Sequence, residues 1–246
     1  MMKIFIFLIL FFKMSTAKAP EPINQWIIWN VGQGQWITEI TNETCTHFDF
    51  GGEIFALKKI KPLLNQNCRY KINQLYLSHA DWDHYSFYNF IVQNNIQTCW
   101  KSKPLEPLKK INLAIPFCNT VPSALSLVNP VTILFYDPLQ KKRNESSTVL
   151  EVNNFLIPGD SPIPQEKKWL KNISDKNKIH FLILGHHGSR TSTSEALLKK
   201  IPDLKMAIAT SRYKKYRHPH KDVIDRLHNH HLNVIKTEDW GSILIQ

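Results

Sequence analysis

Apolar residues along the chain fall into short runs of strand length and longer stretches with helical spacing. The strand-like runs form two groups. The first group lies at 26–31, 36–40, 46–50 and 75–77, and the second at 131–136, 148–152, 155–157, 181–184 and 206–210. Stretches with helical spacing accompany both groups, at 53–64, 85–95, 165–173, 193–201 and 221–231. Prolines between 103 and 130 argue against long regular elements in that stretch.

This order of elements predicts the fold class. Strands accompanied by helices, twice over, suggest two sheets packed face to face with helices on the outside. The prediction is therefore an α/β (α+β) fold, a four-layer αβ/βα sandwich. A chain of 246 residues with 43% hydrophobic content can bury a substantial core, so we expect a single domain over residues 20–246.

The first nineteen residues are set apart from that domain. Lys3 precedes an apolar run at 4–12, and small residues follow it up to Ala19. A run of this length is short of the ~20 residues that span a bilayer, so residues 1–19 predict an export signal and a periplasmic or secreted protein. Cleavage after Ala19 would leave Pro20 at the new N-terminus, so a cut after Ala17 and an uncleaved signal that tethers the chain both remain alternatives.

The four cysteines, Cys45, Cys68, Cys99 and Cys118, lack the C-x-x-C spacing of a metal knuckle. Export favours disulfide bonds between them. Three pairings are possible, and the sequence does not choose among them.

The chain is basic, with a formal net charge of +11, and removal of residues 1–19 with their three lysines would leave +8. A basic surface attracts polyanions such as nucleic acid, teichoic acid or phospholipid headgroups. Net charge alone does not select among these partners.

The stretch LYLSHADWDHYSFYNF, residues 75–90, carries candidate metal ligands at His79, Asp81, Asp83 and His84. They lie at the predicted turn from a strand to a helix, where side chains can converge. Mixed imidazole and carboxylate ligands suit zinc, manganese or iron, whereas calcium prefers oxygen ligands and structural zinc more often uses cysteine. The pattern therefore favours a catalytic metal site.

Further candidates lie where other predicted strands end, namely Asp49, Asp160, His186 and His187. Each alone has a structural explanation, because an aspartate beside glycine commonly forms a turn and a lone histidine commonly has a packing role. Three strands that each end in His or Asp would, however, bring these groups to one edge of the sheets.

Together these motifs resemble the metallo-β-lactamase superfamily: H-x-D-x-D-H after a strand, HFDFG upstream, and PGD and GHHGS downstream. More narrowly, NVGQG at 30–34, GHHGSRTSTSE at 185–195 and RHPHKDVIDRL at 217–227 are similar to the metallohydrolase domain that ends the ComEC DNA-uptake channel and to its free-standing relatives. The resemblance covers residues 26–245.

The resemblance implies one or two divalent metal ions, zinc or manganese, and a set of residues to hold them. The implied ligands are His79 and Asp81 at one metal position, Asp83 and His84 at the second, Asp160 between them, and His187, with His186 as its alternative. Asp49 corresponds to an acid that orients the ligands without touching metal. Asp81, Asn144 and Ser146 stand where many superfamily members carry histidines, which leaves the first position poor in nitrogen donors and makes manganese, or a single occupied position, an alternative.

The same resemblance implies hydrolysis by activated water. Asp83 is the candidate for orienting or deprotonating that water, and His218 for contacting the scissile phosphate or protonating the leaving group. Basic residues interleaved with aromatic ones in SRYKKYRHPHK, 211–221, suit a phosphate backbone that carries stackable bases. The candidate substrate-binding residues are Ser189, Arg212, Lys214, Lys215, Arg217 and His220.

The sequence thus predicts an exported metal-dependent hydrolase, a phosphodiesterase or nuclease on DNA linked to DNA uptake. We expect a monomer whose partners are DNA or another phosphate-rich polyanion and a membrane DNA-uptake machinery. Two alternatives stay open: an exported esterase or phosphodiesterase for a non-nucleic substrate such as a choline-phosphate or a lactone, and an inactive relative that only binds DNA.

Overall fold

The computed structural model describes residues 24–95, 97–103, 108–111, 114–118 and 131–246. The predicted export signal at 1–19 and much of the proline-containing stretch lie outside these ranges. Within them, no helix is both long enough and apolar enough to cross a membrane.

The first sheet contains six strands, β1 (Gln25–Ile28), β2 (Trp36–Ile40), β3 (Thr44–Phe50), β4 (Ile72–Tyr76), β5 (Gln97–Ser102) and β12 (Ile243–Ile245). Their order is β12-β1-β2-β3-β4-β5. β1 pairs antiparallel with β12 and β2, and β2 pairs antiparallel with β3. β3, β4 and β5 run parallel, so their carboxyl ends share one edge of the sheet.

The second sheet contains β6 (Val131–Phe135), β7 (Val149–Val152), β8 (Phe155–Ile157), β9 (Phe181–Ile183), β10 (Met206–Ala209) and β11 (Asn233–Lys236). Their order is β11-β10-β9-β8-β7-β6. β6, β7 and β8 form an antiparallel meander, whereas β8 to β11 run parallel. Here too, the carboxyl ends of the parallel strands lie at a common edge.

The two sheets pack on each other through an apolar layer. Trp26, Ile37 and Phe48 of the first sheet form one cluster with Phe155 and Ile208 of the second. The Trp26 and Phe155 rings stack with their centroids 4.2 Å apart. Burial of each such side chain contributes roughly 1.5–3 kcal/mol, which holds the sheets face to face.

Helices cover the outer faces. The eight α-helices of the described residues are α1 (Leu57–Cys68), α2 (Trp82–Tyr85), α3 (Tyr88–Asn94), α4 (Ile163–Trp169), α5 (Glu195–Lys200), α6 (Tyr213–Tyr216), α7 (Lys221–Asn229) and α8 (Thr237–Trp240). Ile60 and Leu64 of α1 pack on the first sheet, and Leu197 of α5 with Val223 and Leu227 of α7 on the second. The predicted four-layer α/β sandwich is therefore confirmed.

Two disulfide bonds select one of the three possible cysteine pairings. Cys45 of β3 is bonded to Cys68 at the end of α1, and Cys99 of β5 is bonded to Cys118. The first bond ties an outer helix to the sheet beneath it, and the second ties the segment 114–118 to the edge strand.

The structure corrects parts of the predicted element list. The sequence missed β5, β11 and β12, and the helix predicted over 85–95 is regular only over α3, Tyr88–Asn94, because α2 ends at Tyr85. Phe87 interrupts that helix, with φ −98° and ψ 10°, and its backbone N–H donates instead to the carbonyl of Phe50 on β3.

Candidate metal centre

The carboxyl-terminal ends of parallel strands bring the candidate ligands together. Asp49 lies near the end of β3, and the segment 78–84 follows β4. Asp160 comes after β8, and the pair at 186–187 follows β9. Because both sheets end their parallel strands at the same side of the sandwich, the four segments meet in one place.

Two groups of three side chains have the arrangement of metal-binding sites. One consists of His79, His84 and Asp160, and the other of Asp83, His84 and His187. Within each group the candidate ligand atoms lie within 4.8 Å of one another, and His84 belongs to both groups. All five residues were predicted ligands, and the structure brings them together.

Asp160 belongs to the first group and also approaches the second. Its Oδ1 is 3.2 Å from Nε2 of His84 and 3.7 Å from Nε2 of His187. Its Oδ2 is 3.7 Å from Nε2 of His79 and 3.5 Å from Nε2 of His186. The two carboxylate oxygens therefore face different sets of imidazoles, which is the arrangement expected of a bridging carboxylate.

The two acids of the H-x-D-x-D-H motif take opposite sides of this arrangement. Asp81 Oδ2 is 3.4 Å from Nε2 of His79, and its Oδ1 accepts a hydrogen bond of 2.9 Å from Arg143. Asp83 Oδ2 is 3.3 Å from Nε2 of His187. Asp81 thus lies with His79, and Asp83 with His187.

Both histidines of GHHGS reach the centre, from different sides. His187 is buried and lies with Asp83 and His84, whereas His186 is partly exposed and faces the Oδ2 side of Asp160. Both residues have left-handed backbone conformations, with φ of 50° and 55°. This unusual turn directs consecutive imidazoles to the same carboxylate.

The donor set fits a divalent cation. His79 Nε2 and Asp160 Oδ1 are buried and have no hydrogen-bond partner among the described residues. Buried polar atoms without a partner are costly, and an ion would satisfy these two. Each of His79, His84 and His187 also contacts a protein oxygen through Nδ1, of Ser78, Asp49 and Thr210 respectively, which leaves Nε2 directed to the centre.

The charges of the buried groups depend on one another. Burial alone would raise the pKa of Asp160, but the imidazoles of His84, His187 and His79 outweigh burial and hold it well below its ordinary range. Burial would lower the pKa of His84, but Asp160 and Asp49 raise it well above the ordinary value. Asp160 is therefore a carboxylate, the form that binds a cation.

Asp49 holds two of the candidate ligands in orientation. Its Oδ2 accepts hydrogen bonds from Gln35 Nε2 and Ser78 Oγ, both at 2.8 Å, and lies 2.6 Å from His84 Nδ1. Its Oδ1 accepts from the Ser78 backbone N–H at 2.7 Å. Ser78 Oγ in turn lies 2.9 Å from His79 Nδ1, so one buried carboxylate orients two imidazoles.

Of Asn144 and Ser146, which stand where many superfamily members carry a histidine, only Asn144 contacts the candidate ligands. Asn144 Nδ2 is 3.5 Å from Asp160 Oδ2 and 3.4 Å from His186 Nε2. Ser146 donates its hydrogen bond to the Arg143 carbonyl instead, within the same turn. Ser146 thus stabilises the turn that carries Asn144 and Arg143.

His218 lies at the rim of the centre. Its ring centroid is 6.0 Å from that of His186, and the side chain is half-buried. Burial, together with His187 and His186, lowers the pKa of His218 to about 4. The imidazole is therefore neutral at pH 7, so it can donate a hydrogen bond to a substrate oxygen but holds no additional proton for a leaving group.

The basic residues after β10 divide into paired and unpaired groups. Arg212 and Lys215 contact Oε1 of Glu53, at 2.8 and 3.3 Å. The ion pairs of the described residues leave Lys214 and Arg217 without a carboxylate partner.

The other two predicted substrate-binding residues have local partners. Ser189 Oγ lies 2.9 Å from Thr191 Oγ1. His220 forms the N-cap of α7, where its Nδ1 accepts from the Asp222 N–H at 3.2 Å. Both residues are close in sequence to residues of the centre, but the side chain of each forms its hydrogen bond within its own turn.

Sequence reasoning missed several residues that complete the site. Ser78 and Thr210 contact the ligand imidazoles, Gln35 contacts Asp49, and Arg143 contacts Asp81. Common polar residues carry no motif of their own. The usable signal was position, since Ser78 directly follows the strand predicted at 75–77 and Thr210 is the last residue of the strand predicted at 206–210.

Comparisons with known proteins agree with the motifs. No protein-family profile matches the chain. ComE operon protein 3 of Bacillus subtilis is 31% identical over 111 residues, which cover 44% of this chain and 14% of that protein. Competence protein ComA of Neisseria gonorrhoeae is 26% identical over 232 residues, which cover 91% of this chain and 32% of ComA. The chain thus spans less than a third of the length of these curated relatives.

A solved structure identifies the fold. YhfI, a metallo-β-lactamase fold protein from Bacillus subtilis, superimposes with a TM-score of 0.54 at 12% identity, over 90% of this chain and 98% of that chain. The chain has the metallo-β-lactamase fold, and the resemblance predicted from its motifs is confirmed.

Proposed function

We propose that the chain is an exported metal-dependent hydrolase that cleaves phosphodiester bonds in DNA and serves DNA uptake. The observation that carries this proposal is the pair of three-residue groups that share His84, with Asp160 of the first group also 3.7 Å from His187 of the second. Metal sites built from imidazole and carboxylate, in a fold of this class, typically serve hydrolysis.

The residues that would hold the ions follow from the distances above. His79, Asp81 and Oδ2 of Asp160 would hold one, with His186 close enough to complete a set otherwise poor in nitrogen donors. Asp83, His84, His187 and Oδ1 of Asp160 would hold the other. Zinc or manganese bound there would supply Lewis acidity, which makes water nucleophilic at neutral pH.

Asp83 is the residue we assign to the attacking water. Its side chain is 37% exposed, whereas those of His84 and Asp160 are almost fully buried. Burial would raise the pKa of Asp83, but the hydrogen bond from His187 and the charge of His84 outweigh burial and lower it far below the ordinary value. An ionised carboxylate at the solvent side can accept a hydrogen bond from water and orient it.

The substrate follows from charge and from the relatives. Lys214 and Arg217 have no carboxylate partner among the described residues, lie on the segment that leads to His218, and suit a phosphate backbone. The similar proteins include one named for competence. We therefore assign DNA as substrate and a membrane DNA-uptake machinery as partner, and we expect the chain to act as a monomer.

Export is part of the proposal. The two disulfide bonds suit an oxidising compartment, which agrees with the signal-like segment at 1–19. The protein would then act in the periplasm or outside the cell, where it would encounter incoming DNA.

The test is DNA cleavage by metal-stripped protein supplied separately with Mn²⁺, Zn²⁺ and Mg²⁺. We expect cutting with at least one ion and a loss of 100-fold or more in Asp83→Ala. Asp203→Ala, a change of an exposed aspartate on another part of the surface, is the matched control and should cut normally. Tight metal binding without cleavage of any DNA would contradict the proposed substrate.

A further inference from the structure

A groove of about 350 Å³ lies beside the candidate metal centre. Its walls are largely apolar and come from α6, α7 and β11. Tyr213, Pro219, Ile224, Leu232 and Val234 line it, and His228, Asn233 and Lys236 complete it. This volume is within the range of pockets that enclose small organic groups.

The groove adjoins the proposed point of cleavage. Pro219 lines it, and the preceding residue, His218, presents its ring 6.0 Å from the ring of His186. The position of Pro219 is fixed by close packing, because a Cβ on Gly188 would come within 2.6 Å of the Pro219 Cβ. One dipeptide therefore contributes to both the rim of the centre and the wall of the groove.

Charge and aromatic character indicate what the groove accepts. Tyr213 is 45% exposed, and the Arg217 guanidinium lies over its ring, 5.7 Å from the centroid. Arg217 and Lys214, both without a carboxylate partner among the described residues, stand on the same short segment as Tyr213. The groove thus has apolar walls, an aromatic side chain and cationic side chains beside it. These features are complementary to a base attached to a phosphate backbone.

We propose that this groove binds one unpaired nucleobase of the strand being cut, with Tyr213 as its stacking wall. This inference rests on the proposed function and specifies its substrate more closely. A base can enter the groove only from a single strand or after it has left its duplex. The enzyme therefore prefers single-stranded DNA or frayed ends to intact duplex.

Binding separates this inference from the proposed cleavage. The affinity of inactive Asp83→Ala protein for a fluorescent oligothymidine would be compared with its affinity for an abasic strand of equal length. Stacking of a base on an aromatic side chain contributes about 1–3 kcal/mol, so Tyr213→Ala should weaken oligothymidine binding by about 10-fold and abasic binding by less than twofold. Ile224→Trp, which fills the groove from α7, should act in the same way.

A matched control exists elsewhere on the surface. Tyr70 is 78% exposed and has Arg69 5.5 Å from its ring centroid, but it lies before β4, at the opposite end of that strand from His79. Tyr70→Ala should leave both affinities unchanged. Equal effects of Tyr213→Ala on oligothymidine and abasic strands, or no effect on either, would overturn the groove assignment, whether or not the wild-type protein cleaves DNA.

Discussion

Asp49 shows how a single buried residue organises the site without standing among its candidate ligands. It has a left-handed backbone conformation, with φ 53°, which strains residues other than glycine, although aspartate and asparagine adopt it more readily than most. Its carboxylate is held by Gln35 and Ser78 and holds His84. The strain places a negative charge directly behind an imidazole whose other nitrogen faces the centre.

Asp49→Asn tests this arrangement. Asparagine tolerates the left-handed conformation, so the change removes the charge and keeps the backbone. Loss of a carboxylate behind a ligand imidazole typically lowers metal affinity 10- to 100-fold, and we expect a change of that size. The measurement is competition for Zn²⁺ or Mn²⁺ with a chelating dye. An affinity within twofold of wild type would contradict the assigned role.

His47 predicts a pH effect on stability away from the metal centre. Its Nδ1 accepts from Trp36 Nε1 at 3.2 Å, and its Nε2 lies 2.9 Å from Asn73 Oδ1, so the buried ring is neutral. Burial, partly offset by Asn73, lowers the pKa of His47 to about 4. Between pH 6.5 and pH 4 the unfolded chain binds a proton at this residue that the folded chain does not, so the free energy of unfolding falls as pH falls.

His47→Gln removes this titration. Between pH 7 and pH 4, the free energy of unfolding of the wild-type protein should fall by on the order of 3 kcal/mol more than that of the variant. Urea unfolding at each pH measures this difference. His228→Gln, at an exposed position on α7, serves as control and should keep the wild-type slope. Identical pH dependence in wild type and His47→Gln would show that the buried ring is protonated without cost.

The candidate ligands could be predicted from sequence, whereas their supports could not. Four ligands stand within six residues, from His79 to His84, and such clustering is visible without a structure. Ser78 and Thr210 are ordinary hydroxyl residues, and only the fold shows that they contact imidazoles. His186 and His187 lie on opposite sides of Asp160 because of their left-handed backbone angles, which the amino-acid sequence does not show.

At the scale of elements, strands with continuous apolar runs were predictable, whereas three of the four edge strands of the described residues, β5, β11 and β12, were missed. β8, β9 and β10 lie inside their sheet and consist only of apolar residues, FLI in β8 and β9 and MAIA in β10. β5 and β11 lie at sheet edges, carry polar residues such as Lys101 and Asn233, and so lack the pattern. β12 is also an edge strand, and none of its three residues is fully buried.

Two loops approach each other closely enough to require glycine. A Cβ on Gly51 would lie 2.3 Å from the carbonyl group of Asp83, and one on Gly34 would lie 2.6 Å from its oxygen. The Asp83 carbonyl also accepts a hydrogen bond from the Gln35 N–H at 3.1 Å. The backbone of the proposed catalytic aspartate is therefore fixed between the ends of two segments of the first sheet.

Gly51→Ala should displace Asp83. We expect a loss of about 1–3 kcal/mol in the free energy of unfolding, because the added methyl group overlaps backbone atoms that have no room to move. Cleavage should fall by about 100-fold, since a shift of roughly 1 Å at a reacting group has that effect. Urea unfolding measures the loss of stability, and the rate of DNA cleavage measures the displacement of Asp83.

Gly241→Ala is the control for that variant. A Cβ there meets no heavy atom within 4 Å, although φ is 82°. Backbone strain should lower its free energy of unfolding by about 1–3 kcal/mol, and its cleavage rate should stay the same. Equal losses of cleavage in both variants would mean that general destabilisation, and not the position of Asp83, explains the Gly51→Ala result.

At the scale of the whole molecule, the two disulfide bonds stabilise the first half of the sandwich. They close loops with sequence separations of 23 and 19 residues, and both reach the sheet that carries the H-x-D-x-D-H motif. Loops of this length correspond to about 3 kcal/mol each. We expect Cys45→Ala combined with Cys68→Ala to lower the free energy of unfolding by that amount.

Reducing agent provides the control for the disulfide prediction. Reduction should lower the free energy of unfolding of the wild-type protein by more than it lowers that of the double variant, because the variant keeps only the bond between Cys99 and Cys118. Equal urea midpoints of wild type under oxidising and reducing conditions would contradict a stabilising role for both bonds.

The central claim is that the carboxyl ends of the parallel strands form a centre for divalent metal ions. An anomalous difference map of crystals grown with Mn²⁺, recorded near the manganese edge, tests it most directly. The account predicts one peak among Asp83, His84 and His187 and another among His79, Asp81 and Asp160, each about 2 Å from its ligand nitrogens. A fully occupied Mn²⁺ elsewhere in the crystal, with no peak at either place, would contradict it.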